Sequence, residues 1–340
     1  MRAFEIQEFG NLVLTEKPQP QPKFGEVLVR VKAVSVNYRD ILMVKGLYHP
    51  HLNLPAIPCS DGVGEVVSVG EGVTKFKPGD RVAGIFMQKW RSGNLTKEVF
   101  KSALGGEVDG MLAEYVVLSE DGLVSIPSHL SDVEAATLPC AAVTAWHALM
   151  EAGLKPGETV LVMGTGGVSL FALQFAVMAG ARVIATSSSD EKLERVKQLG
   201  ASDVINYKSV PKWEKQVLTL TEGVGVDYIV EVGGANTLSK SLKAVKMGGQ
   251  ISLIGVLAGA QAEFNPLPAV MKGVRIQGIF VGSRQMFEAM NKAINVNKLH
   301  PVCDRVFPFE SAPEALSYME TGSHFGKITI DFLQKSGNRE

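Results

Sequence analysis

A continuous apolar run, Thr159-Val160-Leu161-Val162-Met163, ends in the turn Gly164-Thr165-Gly166-Gly167-Val168-Ser169, and an apolar helical pattern follows at once. No other stretch limits the fold as tightly. A strand with no polar alternation is buried on both faces, as in a parallel sheet. Gly164 permits a tight turn and Gly166 lets backbone come close to a ligand. Gly167 and Val168 open a helix whose first N–H groups lack intrahelical partners and attract a pyrophosphate. The third position of the G-x-G-x-x-G pattern is Ser169, so helix and strand must pack around a hydroxymethyl group. Strand, turn and helix in that order nevertheless point to a dinucleotide site.

The remaining sequence supports an α/β chain of two domains. Up to about residue 124 it reads as short strands punctuated by Gly and Pro (26–34, 64–69, 80–85 and 112–118), several with period-two alternation. After Pro127 the rhythm becomes helix and strand in turn: helix 132–151, strand 159–163, a helix, strand 182–186, helix 189–199, strand 203–206, strand 226–231, helix 237–245 and strand 250–254. This alternation predicts a Rossmann, doubly wound parallel sheet. A strand at 274–281, a helix at 283–296 and a strand at 327–332 follow, before a polar tail from residue 334 that is expected to fray. The predicted division is 1–127 with 278–340 for the substrate domain and 128–277 for the dinucleotide domain, the last segment returning to the first.

With 34 Lys and Arg against 35 Asp and Glu, scattered through the chain, nothing supplies the basic face that a nucleic-acid backbone requires. No apolar stretch is long enough for a membrane span or placed as a signal peptide. Three cysteines, far apart and without CxxC spacing, fit reduced thiols in a cytoplasmic protein better than a disulfide framework. The expected partner is a small-molecule substrate.

The end of the second strand of the αβ half bears on which dinucleotide is bound. An NAD-preferring site places a carboxylate there, on the ribose hydroxyls. Here the sequence is Thr186-Ser187-Ser188-Ser189, with Lys192 in the first turn of the next helix. A carboxylate would repel a 2′-phosphate, whereas Ser187 and Ser188 donate hydrogen bonds and Lys192 supplies positive charge, so NADP(H) is favoured. The competing reading gives the ribose to Asp190.

Several motifs together, Gly25-Glu26-Val27-Leu28-Val29, Val36-Asn37-Tyr38-Arg39-Asp40, Pro58-Cys59-Ser60-Asp61-Gly62-Val63-Gly64, Lys77-Pro78-Gly79-Asp80-Arg81-Val82, Thr144-Ala145-Trp146 and Gly164 to Ser169, span essentially the whole chain. On them it resembles the medium-chain dehydrogenase/reductase superfamily, most closely its zinc-independent, quinone-oxidoreductase-like and alcohol-dehydrogenase-like branch. The resemblance implies a GroES-like catalytic domain beside the Rossmann domain. It also implies a missing metal. Zinc relatives carry Cys where this chain has Asn37, His-Glu where it has Ser60-Asp61, and Cys where it keeps Cys140; the lobe at 88–109 has no Cys for a structural zinc. Asn, Ser and one thiol are a poor set for zinc. His49 and His51 form an H-x-H that reads as solvent-facing rather than as a metal site.

By the same resemblance Tyr48 is the proton donor or orienting group, Asn37 binds substrate or the nicotinamide ribose, and Asp61 or Ser60 fills the vacated metal position. Thr144 and Val281 would contact the nicotinamide end and Tyr207 the adenine phosphate, with Gly255 and Lys327 bordering the cofactor. Phe86, Trp90 and Trp146 are candidates for an apolar substrate wall. Three functions fit: a zinc-free NADP(H)-dependent reductase of quinones or conjugated carbonyls, an alcohol dehydrogenase for secondary alcohols or aldehydes, and an NADP(H)-binding sensor or structural protein. A homodimer paired through the 274–281 strand is expected from the relatives.

Overall fold

The computed structural model describes residues 1–334. Of the tail expected to fray, residues 335–340 lie outside the described residues. The chain forms two compact units, Met1–Val143 with the segment from Gly282 onward, and Thr144–Val281. The sequence placed these changes at 127 and 277. Residues 128–143 go with the first unit because Arg81 donates to Leu130 O and to Asp132, each at 3.0 Å, and Cys140 N donates to Asp61 at 3.2 Å.

The second unit is a six-stranded parallel sheet in the order Asp203–Asn206, Arg182–Ser187, Thr159–Met163, Val226–Glu231, Val245–Leu253, Arg275–Gly278. Counted in chain order this is 3-2-1-4-5-6, so strand order reverses between Thr159–Met163 and Val226–Glu231, where doubly wound folds bind ligands at the carboxyl edge. Register aligns that edge: Met163 lies beside Thr186, and Val162 beside Val230. Leu161, Ile184, Ile229 and Ile251 are fully buried at its centre, as strands covered on both faces require. The helix Gly167–Met178 is apolar nearly all round and buries Leu170, Phe171, Leu173 and Phe175. Ser169 resolves the missing third glycine. Its hydroxyl donates to Met163 O at 2.6 Å and ties the helix to the strand it follows.

Three local expectations are corrected. The helix predicted over 132–151 is two helices, Asp132–Ala135 and Val143–Leu149, separated by a π-helical turn at Leu138–Ala142; Pro139 lacks the N–H that a continuous helix needs there. A helix at Trp213–Leu220 fills what read as a connection. The strand predicted over 274–281 stops at Gly278, and Val281 takes a left-handed backbone at φ 51°.

The first unit carries a seven-stranded sheet and the hairpin Arg2–Glu8/Asn11–Glu16. In the sheet the long strand Glu26–Val36 pairs antiparallel with Asp61–Val69, with Tyr115–Ser119 and with Lys327–Asp331. Val29, Val31, Val34, Ile328 and Ile330 form part of one buried core. Because Ile328 lies opposite Val36, Lys327 is brought beside Asn37 across most of the length of the chain.

Candidate active site

In the second unit the turn has the shape its residues predict. Gly164 has φ 77°, a conformation that favours glycine. A Cβ added at Gly164 or Gly166 would meet no atom within 4 Å, so open space lies over the backbone at both. Gly166 is the N-cap of the helix Gly167–Met178 and contributes no side-chain cap. The first N–H groups of that helix, at Gly167 and Val168, are therefore left for an anion, and a dinucleotide pyrophosphate fits.

Ser187 ends its strand buried, its hydroxyl accepting from Ser189 N at 3.3 Å; Ser188 is half-buried. Ser189 caps the helix Asp190–Gln198 by accepting from Lys192 N at 3.3 Å. Asp190, the competing ribose ligand, accepts from Asn206 Nδ2 at 2.8 Å. Tyr207 donates its N–H to Ser187 O at 3.0 Å and leaves its side chain exposed. Thr144 is buried at the start of the helix Val143–Leu149, whose His147 Nδ1 lies 2.7 Å from Val281 O. Trp146 packs edge-on against Phe175 at 5.5 Å, in the helix core.

Glu231 was not anticipated. This fully buried carboxylate ends the fourth strand and accepts from Gly233 N (2.8 Å), Gly234 N (3.1 Å), Thr237 Oγ1 (2.7 Å) and the Ser241 hydroxyl. Its backbone carbonyl accepts from Gly255 N at 3.4 Å. A buried carboxylate survives only with such partners. The sequence signal was the glycine pair two residues beyond a strand-final acid.

In the first unit a second polar cluster is buried around Asn37, which precedes the helix Tyr38–Val44. Asp40 Oδ2 accepts from Asn37 N at 2.8 Å, the reciprocal half of a capping box. The Asn37 side-chain oxygen is spent elsewhere: Lys327 Nζ donates to it at 2.5 Å and to Val36 O at 2.9 Å. The same ammonium stands 3.9 Å from Asp61 Oδ2. Asp61 Oδ1 accepts from Ser60 Oγ at 2.8 Å and Oδ2 from Cys140 N. Cys59, just before Ser60, is buried with φ 69°, a strained conformation of the kind that gathers at functional sites. The predicted residues Asn37, Asp61 and Lys327 thus meet in one cluster.

Tyr48 stands nearby on the exposed side, 41% accessible. The Arg39 guanidinium lies 5.5 Å from its ring and 4.7 Å from that of Phe86, and donates to Leu104 O at 2.8 Å. Trp90 is buried and donates to Gly93 O at 2.8 Å. His49 pairs with Glu107 at 3.0 Å. Burial raises the Tyr48 phenol, with Arg39 opposing the rise. Burial also pushes Asp40 up to about 6 against the neighbouring Arg39, and raises Asp61 against the pull of Lys327.

Zinc would need an anionic ligand set here, and the residues do not fit one. Cys140 is the one thiol beside Asn37, Ser60 and Asp61, a donor set poor in the Cys and His ligands that zinc takes. Asn37 and Asp61 face an ammonium. No group of three His, Cys, Asp or Glu side chains suited to a metal occurs among the described residues.

Comparison with known proteins agrees with this architecture. Residues 23–128 match the family model of the alcohol dehydrogenase GroES-like domain, and residues 167–295 that of the zinc-binding dehydrogenase. A zinc-type alcohol dehydrogenase-like protein of Schizosaccharomyces pombe is 47% identical over 96% of both chains. Acryloyl-coenzyme A reductase of Metallosphaera sedula is 30% identical over 93% of this chain and 95% of its own. A crystal structure from Sinorhizobium meliloti, provisionally described as an alcohol dehydrogenase, superposes with a TM-score of 0.91 at 42% identity, covering 97% of this chain and 98% of the other. The chain belongs to the medium-chain dehydrogenase/reductase superfamily, in its zinc-type alcohol-dehydrogenase-like branch, and is an oxidoreductase built on a nucleotide-binding fold.

Proposed function

We propose that this chain is an NADP(H)-dependent oxidoreductase that reduces an activated carbonyl compound, a quinone or an α,β-unsaturated ketone or aldehyde, without catalytic zinc. The observation that carries the reading is the buried cluster of Asn37, Asp61 and Lys327, which sets an ammonium beside the Asn37 and Ser60-Asp61 positions at which zinc relatives carry metal ligands. When bound, the reduced dinucleotide supplies a hydride. An isolated ketone gaining hydride concentrates alkoxide charge that calls for a Lewis acid, whereas a conjugated acceptor spreads the charge to a distant oxygen that hydrogen-bond donors can hold. Asn37 binds that acceptor, and Tyr48 supplies a proton to the resulting enolate or orients it. The identity of the acryloyl-coenzyme A reductase favours such an acceptor.

The test is a panel of enones, quinones, ketones and aldehydes assayed for NADPH consumption, with elemental analysis of the purified protein. Enones or quinones should turn over and zinc should stay well below one per chain; stoichiometric zinc would remove the reading. A second reading, an alcohol dehydrogenase, is favoured by the descriptions of the yeast and Sinorhizobium proteins. Preferential reduction of unconjugated ketones and aldehydes in the same panel, with oxidation of secondary alcohols when NADP+ is supplied instead, would select it.

Cofactor choice rests on Ser187, Ser188 and Lys192 standing where a carboxylate would repel a 2′-phosphate, with Asp190 turned to Asn206. NADPH should bind at least about tenfold more tightly than NADH, a difference of about 1.4 kcal/mol. Ser187→Asp should reverse that order by placing a carboxylate at the strand end. Equal affinities of the wild type, read by fluorescence titration, would remove the argument.

A further inference from the structure

We propose that Lys327 and Asn37 form a two-donor site for the carbonyl oxygen of the acceptor, with the Lys327 ammonium as the fixed positive charge in place of a metal. The inference rests on the metal-free reading above and adds a catalytic residue that the sequence had assigned to the cofactor border.

Three features of the cluster support it. First, an ammonium has three N–H donors. Those of Lys327 reach two acceptors at hydrogen-bond distance, Val36 O at 2.9 Å and Asn37 Oδ1 at 2.5 Å, while its ion-pair partner Asp61 is too far, at 3.9 Å, to accept the third. Second, Asn37 Nδ2 is buried with no hydrogen-bond partner. Its orientation is fixed, because turning the amide over would aim two donors at each other across the Lys327 contact. The Asn37 amide helps to hold the Asp61 charge without completing a bond to it. Third, the Asp61 oxygens are already engaged by Ser60 Oγ and Cys140 N, so the carboxylate anchors the cluster.

Buried donors are rarely left unsatisfied, and two on adjacent side chains define a place for an oxygen acceptor. A divalent cation would be repelled by the ammonium. An oxygen that gains negative charge as hydride adds to the conjugated carbon is stabilised more than the neutral carbonyl, which is what accelerates a reaction. No proton need leave Lys327: the electron pair moves from the double bond onto the oxygen, and the enolate carbon then takes its proton from Tyr48 or water.

Substituted phenols test the site independently of turnover, because a bound phenolate oxygen mimics the enolate. The full-length protein, with and without NADP+, is titrated with 4-cyanophenol and its ionisation read by absorbance. The wild type should shift bound phenol toward phenolate by about tenfold or more, and Lys327→Met should abolish the shift. With an enone or quinone as acceptor, Lys327→Met should lose on the order of a hundredfold in kcat, the effect of removing one oxyanion donor, while NADPH affinity stays within about twofold. Since Lys327→Met leaves Asp61 without its counter-charge, Lys327→Met with Asp61→Asn serves if the single variant does not fold. A phenol shift absent in the wild type, or unchanged in the folded variant, overturns the proposal, as does a loss of NADPH affinity that accounts for the lost turnover. Phenolate stabilised by a protein that reduces no enone or quinone would instead defeat the functional reading and leave the two-donor site standing.

Discussion

Gly166→Val should leave the protein folded, with a melting temperature within a few degrees of the wild type, and should weaken NADPH and NADH alike by at least about a hundredfold, or about 3 kcal/mol. The two halves of this expectation come from one place. Gly166 has φ −79° and ψ 178°, an extended backbone that a β-branched residue adopts without strain, and a Cβ there meets no protein atom within 4 Å. Valine is a poorer N-cap than glycine, which costs the helix about 1 kcal/mol and lowers the melting temperature of a chain this long by only a few degrees. What the isopropyl group would occupy is the space over the first N–H groups of Gly167–Met178, where backbone must approach the phosphates closely. Thermal melting and cofactor titration, run on the same preparation, check both halves. A valine variant that binds NADPH as the wild type does would remove the turn from the site and with it the cofactor half of the functional reading.

That turn was legible from sequence because everything it needs is local. The apolar strand, the glycines and the helix lie in consecutive residues, and the structure returns the strand as Thr159–Met163 without adjustment. Even Ser169, the one departure from the pattern, is accommodated by a bond to a carbonyl six residues earlier. Lys327 is the opposite case. Its neighbours in sequence, Phe325-Gly326-Lys327, indicate only a position near cofactor in relatives, and its bond to Asn37 exists because the last strand pairs with Glu26–Val36. Such pairing is a property of the folded sheet, and no periodicity in either segment announces which side chains it joins. The break in the predicted helix at 132–151 has a nearer cause in Pro139, visible in the sequence yet outweighed there by the helical pattern around it. Site residues on one turn or one strand end could therefore be named individually, while the meeting of Asn37, Asp61 and Lys327 could be found only in the fold.

Glu231→Leu should destabilise the protein by about 3–5 kcal/mol, the cost of leaving two backbone N–H groups buried without an acceptor, at about 1–3 kcal/mol each. Burying an apolar side chain in place of a carboxylate relieves a desolvation cost, and where both sides of a buried polar contact are replaced the exchange can be neutral or favourable. Here the donors remain. Leucine leaves Gly233 N, Gly234 N, Thr237 Oγ1 and Ser241 Oγ without the acceptor they share, and a buried donor left unsatisfied costs about 1–3 kcal/mol. Thr237 Oγ1 lies 3.1 Å from Gly234 O and Ser241 Oγ 3.8 Å from Met163 Sδ, so the hydroxyls recover part of the loss and the two glycine N–H groups do not. Glu231→Gln keeps one oxygen in place, and the Ser241 hydroxyl can turn to accept from the new amide; it should cost only about 1–2 kcal/mol. The consequence reaches the cofactor edge, because the turn that Glu231 holds packs against the 255–259 loop: Gly234, at φ 87°, comes so close that a Cβ would meet Gly259 O and Val256 Cα at 2.8 Å. NADPH affinity should therefore fall in the leucine variant at temperatures where it is still folded, and less in the glutamine variant. Urea unfolding monitored by circular dichroism, paired with cofactor titration, reads both effects; a leucine variant within 1 kcal/mol of wild type would show that the strand end and its glycine turn hold their shape without the carboxylate.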